Sequence, residues 1–518
     1  MEGLIFIPYV GLQNDEALFA GAFYPPPGFL HSMRIFGHLR LPTMIASYAG
    51  TLKAWPYVPI FRLFGSSTWS ARIPMLLAGA ATVWLLFVLV RQIAGARAAL
   101  AATALLAADA SFVMTTCMDW GPVALQHLLL VAGLVLLLRF HQSGRELFLA
   151  GGFFIFGLAL WDKALFTWAL AGLAAGALMV FPRALRLRLT RRNAAIAVLS
   201  LLIGAVPLIS FNIKRRLETF RGNARFSSEG FSQKATVLWR TLEGGCLFGY
   251  MVRNEPPPEP APAVNEVEAL SVRVSRAFAE RQTGFLPFAC VLAMALLPWL
   301  WRTPAGKLMV FALIFMVVVW LQMAFTKGAG TGVQHAVLLW PFPHVFAGVG
   351  LAEGSRRLGR AGLPVLAAAL MAVCGSGLVV LNQYLAQLVQ NGPTAVWTDA
   401  IDPLSAYLRT SPARHMYVPD WGIIGSLRLL NGGKLPLDPA PGEIAGDPKS
   451  HARAVKALAA EDAVFIAHTP ENEVFDGDKA RMDALARLAG YRPEVLKLIA
   501  DRHSRPIFQV YRYVALAP

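Results

Sequence analysis

The sequence predicts a mainly α-helical protein that crosses a membrane many times and ends in a small soluble α/β domain. Of its 518 residues, 56% are hydrophobic and only 15% are charged, and the mean hydropathy is +0.51. Soluble domains usually carry about 25% charged residues. Composition therefore indicates an integral membrane protein, and the apolar runs and the placement of basic residues support this.

Ten apolar runs approach the ~20 residues that a helix needs to cross a bilayer. An apolar stretch at residues 3–12 is about half that length, which suggests a truncated first span and a total of about 10–11. The ten runs lie at roughly 69–91, 98–116, 122–139, 147–163, 165–182, 194–212, 284–301, 307–325, 335–354 and 362–386.

The basic residues between these runs predict the orientation. Alternate connections are rich in arginine, and the short connections on the other side contain only Lys163 and Lys327. Cytoplasmic loops of membrane proteins are enriched in Lys and Arg, so the arginine-rich side is predicted to be cytoplasmic. The residues on that side are Arg91, Arg97, Arg139, Arg145, Arg183, Arg186, Arg188, Arg191, Arg192, Arg302, Lys307, Arg356, Arg357 and Arg360.

The same alternation divides the chain into five segments. Residues 213–283 contain the proline-rich run from Pro256 to Pro262, which favours an extended connection and suggests a lid. After residue 390, short apolar runs at residues 415–418, 463–467 and 507–511, which predict strands, alternate with helical stretches such as 449–460 and 478–489. This pattern is typical of a small α/β domain. The predicted segments are an extracytoplasmic N-terminal segment (1–68), membrane helices (69–212), an extracytoplasmic loop (213–283), membrane helices (284–389) and an extracytoplasmic soluble domain (390–518).

An acidic pair, Asp15-Glu16, lies in the predicted extracytoplasmic segment. It could simply begin a helix, where acidic side chains satisfy free backbone amides and the helix dipole. Adjacent helical residues point about 100° apart, so both carboxylates cannot face one atom equally. The functional hypothesis is that one acts as a base or metal ligand and the other anchors the segment.

Asp119 is the second acidic candidate, in the short turn between two apolar runs. It precedes Pro122 and could cap the following helix. It is also predicted to lie on the same side as Asp15, and the two could form an acidic pocket for a hydroxyl, an amine or a divalent cation. Metal dependence is left open, and no other cofactor is indicated.

Basic side chains on that side could bind a phosphate group at the membrane surface. Lys163 breaks the positive-inside pattern, which favours a functional role, whereas Lys214 and Arg215 have the alternative role of anchoring a helix end at the interface. A single histidine near a membrane is more often a hydrogen-bonding residue than a metal ligand. The candidates for phosphate binding are Arg72, Lys163, Lys214, Arg215 and His335.

The order of these features resembles the GT-C glycosyltransferases, in particular protein O-mannosyltransferases and lipid A aminoarabinose transferases. The resemblance rests on the acidic pair, the stretch from Leu63 to Arg72, Asp119, the span ending at Lys163 and the segment from His335 to Pro343. It covers roughly residues 13–355. It departs from the family where a full first span would precede the acidic pair.

The resemblance implies transfer of a sugar from a polyprenyl-phosphate carrier to an extracytoplasmic acceptor, with inversion at the anomeric carbon. In that reaction Asp15 would be the base, Glu16 and Asp119 would orient the site, and the basic residues would hold the donor phosphate. The acceptor could be a lipid, a glycan or a protein. The expected location is a bacterial inner membrane.

Two other functions remain as alternatives: a secondary transporter, or a membrane scaffold without catalysis. Transport sites usually use ionisable residues in the middle of spans and interrupted helices in paired halves, and this sequence shows little of either. The net charge of +16 could suggest nucleic-acid binding, but the basic residues separate the apolar runs and do not form one patch, so no nucleic-acid partner is predicted.

Overall fold

A computed structural model describes most of the chain as a bundle of apolar helices capped by a small mixed sheet. It describes residues 2–25, 29–35, 39–223, 225–257, 262–438, 455, 457–458, 462–475 and 477–516. The helices of the bundle are α4 (Thr68–Ala107), α5 (Ala110–Cys117), α6 (Val123–Ser143), α7 (Glu146–Asp162), α8 (Phe166–Val180), α9 (Pro182–Arg188), α10 (Arg191–Gly204), α11 (Val206–Lys214), α15 (Leu286–Leu300), α16 (Pro304–Ala324), α17 (Val333–Ala336), α18 (Phe342–Arg356) and α19 (Gly362–Gln390).

Four helical stretches in the described residues are long and apolar enough to cross a membrane, and the number rises to seven if three bent pairs each form one span. This is fewer than the predicted ten. The predicted runs do fall on helices, but several are short: α7 has 17 residues and α15 has 15. The bent pairs are α8 with α9, α10 with α11, and Val333–Leu339 with α18.

Helix α4 contains a break that the sequence prediction placed between two spans. Gly95 has φ +85° and ψ +171°, a conformation that glycine adopts without a steric penalty. The second predicted span is interrupted again near Asp109, whose side chain accepts a hydrogen bond from the Phe112 N–H and so begins α5. The polar cap therefore ends one helix and starts the next inside an apolar run.

The N-terminal segment contains short helices and a hairpin that lie against the ends of the bundle. Its elements are α1 (Glu2–Phe6), α2 (Asn14–Ala20), α3 (Ala54–Phe64) and the antiparallel strands β1 (His31–Ile35) and β2 (Leu39–Met44). Residues 48–50 then pair by their main chain with residues 162–164: the Gly50 N–H donates to the Asp162 carbonyl at 3.0 Å, and the Ala164 N–H donates to the Tyr48 carbonyl at 2.8 Å.

The described part of the predicted loop 213–283 contains three helices: α12 (Glu218–Asn223), α13 (Phe231–Leu242) and α14 (Glu266–Ala277). Most of the proline-rich run that suggested a lid, residues 258–261, lies outside the described residues. The part that is described packs closely on the bundle, since α14 lies along α19 and Lys234 of α13 donates hydrogen bonds to the carbonyls of Ala324 and Thr326 at the end of α16. A lid function for this segment stays a prediction.

The C-terminal domain is built on a five-stranded sheet with the order β4-β3-β5-β7-β6. The three strand segments that the sequence predicts all form, as does the helix at 478–489, whereas the predicted helix 449–460 lies almost entirely outside the described residues. Strand β3 is parallel to β4 and β5, and β7 is antiparallel to β5 and β6. The elements are α20 (Ile401–Arg409), β3 (His415–Tyr417), α21 (Ile424–Leu430), β4 (Leu437–Asp438), β5 (Ala463–His468), α22 (Asp478–Leu488), β6 (Tyr491–Ala500) and β7 (Pro506–Ala515).

One apolar core joins this domain to the N-terminal segment. Leu12 and Ala17, on either side of the acidic pair, are buried in the same cluster as Ile401 and Leu427 of the C-terminal domain. The Gly425 N–H also donates to the Asn14 side-chain oxygen at 2.9 Å. The acidic pair is therefore held between the membrane helices and the soluble domain.

Candidate active site

Helix α2 places the two adjacent carboxylates in different surroundings. Gln13 caps the helix, and its side-chain oxygen accepts hydrogen bonds from the N–H groups of Asp15 and Glu16 at 2.6 and 3.1 Å. The cap that the sequence suggested for Asp15 is thus supplied by the preceding glutamine. The carboxylates of the pair are left for other contacts.

Glu16 is the anchor of the pair. Its carboxylate accepts two parallel hydrogen bonds from the Arg72 guanidinium, Nε to Oε1 and Nη2 to Oε2, each 2.9 Å, and both side chains are buried. The guanidinium also donates to the carbonyls of Val10 and Gly11, each at 2.7 Å. Arg72 therefore fixes the acidic segment onto α4, and its assignment to the donor phosphate stays an untested prediction.

Asp15 is partly exposed. Its Oδ1 accepts a hydrogen bond from the Asn14 side chain at 3.1 Å, and it has no ion pair with any residue that the structure describes. Burial raises the pKa of the Asp15 carboxyl above its ordinary value, and the Asn14 hydrogen bond opposes that shift. A carboxylate held in this way is more basic than one in water.

Two tyrosines lie within electrostatic range of Asp15. The pKa of Tyr48 is raised first by burial and then by the negative charge of Asp15, and the same two causes raise the pKa of Tyr250 to about 12. The Tyr250 ring also lies 6.0 Å from the ring of Trp120 and 6.2 Å from that of Trp397. Two phenols therefore lie within electrostatic range of the open carboxylate, and ring contacts connect one of them, Tyr250, to Trp120 in the turn containing Asp119.

Asp119 both caps a helix and forms a buried ion pair. Its Oδ1 accepts hydrogen bonds from the N–H groups of Val123 and Ala124 at 2.7 and 3.1 Å, so the capping role suggested by the sequence is present. Its Oδ2 lies 2.9 Å from Nζ of Lys53, and both side chains are buried. No hydrogen bond or ion pair connects Asp119 with Asp15, although the structure describes both.

Lys163 and the segment at His335 meet the Asp119 turn. Lys163 Nζ donates to the Gly121 carbonyl at 2.7 Å, and its side chain is buried. A Cβ atom at Gly121 would lie 3.6 Å from that Nζ and 2.8 Å from Cβ of Gln334. The structure thus brings together three motifs that are far apart in sequence: Asp119, Lys163 and the segment with His335.

Lys214, Arg215 and His335 are the remaining predicted basic residues. Lys214 and Arg215, at the end of α11, are exposed, and their charges contribute, after burial, to lowering the pKa of His31 in the hairpin. His335 is partly buried, and its Nδ1 accepts a hydrogen bond from the Gly330 N–H at 3.2 Å. Phosphate binding by these groups stays a prediction.

The geometry does not provide a metal site at Asp15 and Asp119. Across the described residues, no group of three or more His, Cys, Asp or Glu side chains is placed to hold a metal ion. The Asp119 carboxylate already has a cation, Lys53, at 2.9 Å. The carboxylates therefore do not fit the predicted option of a divalent cation shared between them.

Sequence reasoning missed Lys53 and the two tyrosines. Lys53 is a single lysine in an apolar stretch, and only its buried pairing with Asp119 reveals its importance. Tyr48 and Tyr250 are 202 positions apart in the sequence and carry no recognisable motif. A cavity of about 840 Å³ lies elsewhere, between α14 and the end of α19, and does not include Asp15.

Comparison with solved structures identifies the fold. ArnT from Cupriavidus metallidurans bound to undecaprenyl phosphate aligns with a TM-score of 0.59 over 98% of this chain and 96% of that chain, at 14% sequence identity. The apo state of the same protein aligns with a TM-score of 0.57, the same coverage and the same identity. The chain has an ArnT-like fold. The resemblance predicted from sequence motifs is confirmed.

A family model gives an independent match to part of the chain. Residues 51–211 match the family described as dolichyl-phosphate-mannose-protein mannosyltransferase. That range contains Lys53, Arg72, Asp119 and Lys163, whereas Asp15 precedes it. No curated protein sequence matches the chain. The oligosaccharyltransferase of Archaeoglobus fulgidus aligns at 12% identity with a TM-score of 0.49 over 98% of this chain and 71% of that chain, too low a score to support an argument.

Proposed function

We propose that this integral membrane protein transfers a sugar from a polyprenyl-phosphate donor to an acceptor hydroxyl, with inversion at the anomeric carbon. The main support for the proposal is that the two carboxylates of the acidic pair make different contacts. Glu16 is fixed by Arg72, while the partly exposed Asp15 beside it has no ion pair with any described residue. The ArnT-like fold and the family match support the same class of reaction.

In the proposed reaction Asp15 is the general base. It takes the proton of the acceptor hydroxyl while the acceptor oxygen forms a bond to the anomeric carbon. The bond from that carbon to the phosphate oxygen breaks, and its electron pair leaves with the polyprenyl phosphate. Attack from the face opposite the phosphate inverts the anomeric configuration. A positioned base contributes about 10²–10⁴ in rate.

The negative charge that develops on the departing phosphate requires a nearby donor. Lys163 is the strongest candidate, because its ammonium group carries three N–H donors and the Gly121 carbonyl accepts one of them. Lys53 adds positive charge on the same turn but is neutralised by Asp119. Lys214, Arg215 and His335 form a second set that could contact the phosphate at the membrane surface.

The orientation proposed from the sequence places this site on the extracytoplasmic face of a bacterial inner membrane. The arginine-rich connections then lie in the cytoplasm. Labelling of single introduced cysteines from either side of sealed vesicles would test this arrangement. Labelling of a cysteine at Ser143 from outside the cell would contradict it.

The first test is donor binding and turnover with the purified protein. Mass spectrometry of co-purifying lipids is expected to detect polyprenyl phosphate or its sugar conjugate in the wild type and less of it in Lys163→Gln. Lys307→Gln is the matched control, because Lys307 is an exposed lysine in α16, on the predicted cytoplasmic side.

Turnover with a short synthetic polyprenyl-phosphate sugar then tests catalysis. Asp15→Asn should lower kcat by about 10²–10⁴ while the protein still binds the donor. A wild-type protein that neither retains nor consumes the donor would contradict the proposal and favour the transporter or scaffold alternative.

A further inference from the structure

A buried aspartate–histidine pair lies in the C-terminal domain, outside the site described above. His468 ends β5, and Asp420 follows the neighbouring parallel strand β3. Oδ2 of Asp420 accepts a hydrogen bond from the His468 backbone N–H at 3.0 Å and a second one from the His468 ring Nδ1. Nδ1 therefore carries a proton, and Nε2 is the ring nitrogen available to accept a hydrogen bond.

An exposed aromatic pair lies next to this buried pair. Trp421 directly follows Asp420, and its ring packs edge-on against Phe475, with ring centres 5.8 Å apart and planes at 73°. The two side chains are 36% and 56% exposed. Two adjacent exposed aromatic rings form a small apolar patch, and contiguous apolar patches on a protein surface can mark binding sites.

The loops that carry these residues meet at Gly422. Its φ of +98° is in the region that favours glycine. A Cβ atom there would lie 3.8 Å from Cε1 of His468 and 4.0 Å from Cγ2 of Val474, the residue before Phe475. The buried imidazole and the loops that carry the two exposed aromatic rings therefore lie close together at the carboxyl ends of β3 and β5, where α/β domains commonly bind ligands.

Both loops form hydrogen bonds with chain segments near Asp15 or Tyr250. After Trp421, the Gly425 N–H donates to the side chain of Asn14, the residue before Asp15. In the loop before Phe475, the Asn472 side chain accepts a hydrogen bond from Arg253 at 2.9 Å. Arg253 lies three residues after Tyr250, which is within electrostatic range of Asp15. Hydrogen bonds thus connect both loops to the chain segments that carry Asp15 and Tyr250.

We propose that Trp421, Phe475 and the Asp420–His468 pair form a binding site for a saccharide, and that this saccharide is part of the acceptor. The inference rests on the proposed glycosyl transfer. The rings offer flat apolar faces to the C–H groups of a sugar, and Nε2 of His468 offers an acceptor for a hydroxyl. Peptides bound by sheet domains commonly pair with a strand at the sheet edge, whereas the aromatic pair lies at the strand ends.

Saturation-transfer NMR on the full-length protein in lipid nanodiscs tests the site. The probes are three disaccharides: N,N′-diacetylchitobiose, mannobiose and maltose. At least one should receive saturation from the wild type, and Trp421→Ala and Phe475→Ala should each weaken its binding about tenfold or more. The control Leu488→Ala removes a side chain of the same domain that is 87% exposed and should bind as the wild type does.

The proposal is overturned if none of the three disaccharides binds the wild type. It is also overturned if Trp421→Ala and Phe475→Ala both bind the disaccharide as tightly as the wild type does. His468→Gln supplies a second variant that leaves the aromatic surface in place and should also weaken binding. Unchanged melting temperatures of the variants would show that the loss is local.

Failure of this inference can be separated from failure of the proposed function, because disaccharide binding needs no donor. Asp15→Asn should bind the disaccharide normally and still lose transfer. In the transfer assay, Trp421→Ala should raise KM for the acceptor with donor binding unchanged. Donor turnover in the wild type, with an unaltered acceptor KM in Trp421→Ala, would overturn the saccharide site alone.

Discussion

Asp15 and Glu16 are neighbours in the chain, and replacing them one at a time should give opposite results. Glu16→Gln removes the charge that compensates a fully buried guanidinium, so it should destabilise the protein. Asp15→Asn removes a carboxylate whose pKa is raised by burial. A carboxyl with a raised pKa disfavours folding when it is ionised, so its replacement by a neutral amide should not lower stability at neutral pH.

The size of the first effect follows from the geometry of the pair. Removing one partner of a buried ion pair typically costs about 3–5 kcal/mol. An unfolding entropy of about 2.1 cal/mol/K per residue over the 518 residues gives roughly 1.1 kcal/mol/K, so the melting temperature of Glu16→Gln should fall by about 3–5 °C. Asp15→Asn should change the free energy of unfolding by no more than about 0.5 kcal/mol, while its kcat falls by about 10²–10⁴.

Thermal unfolding of the two variants, followed by tryptophan fluorescence in one detergent, measures the stability effect. Turnover of a synthetic donor measures the catalytic effect. The reasoning would be refuted if Glu16→Gln melted with the wild type, or if Asp15→Asn retained wild-type kcat. A double variant, Glu16→Gln with Arg72→Met, should recover part of the lost stability because it leaves no uncompensated buried charge.

Three further predictions test the surroundings of the pair. The acidic limb of the pH profile of kcat/KM should lie above the ordinary range of an aspartate, because a raised pKa keeps Asp15 protonated to higher pH; a limb below pH 4 would argue against Asp15 as the base. Lys53→Met should cost about 3–5 kcal/mol in the free energy of unfolding, and adding Asp119→Asn should restore part of it; an unchanged melting temperature would contradict the buried pair. Gly50→Ala should lower the melting temperature and kcat together, because its Cβ would lie 2.1 Å from the Trp161 carbonyl oxygen; wild-type behaviour would show that the backbone there can move.

The fold class could be predicted because a bilayer imposes a simple pattern on sequence. Long apolar runs and the one-sided placement of arginine indicated a helical bundle, and the short apolar runs near the C terminus indicated three of the five strands. Strand β6 was missed, since it is an edge strand containing Pro493 and mostly exposed side chains. Strand β4 was missed because it has only two residues.

The candidate site could be predicted only where a residue departed from its local background. Asp15, Asp119 and Lys163 are ionisable residues in or beside apolar runs. Burial of such a residue costs solvation free energy, so its presence there stands out in the sequence. The partner of each residue was not visible. Arg72 reaches Glu16 across 56 positions and Lys53 reaches Asp119 across 66, and no local pattern records such pairings.

The core that joins Leu12 and Ala17 to Ile401 and Leu427 has a consequence for the order of events during biosynthesis. The segment carrying Asp15 leaves the ribosome first, yet the side chains that bury it are made last. At about 5–20 residues per second, roughly 20–80 s separate the two. The nascent protein can insert its helices during that interval but cannot complete its acidic segment. Chains that stop before the C-terminal domain should therefore reach the membrane and remain inactive.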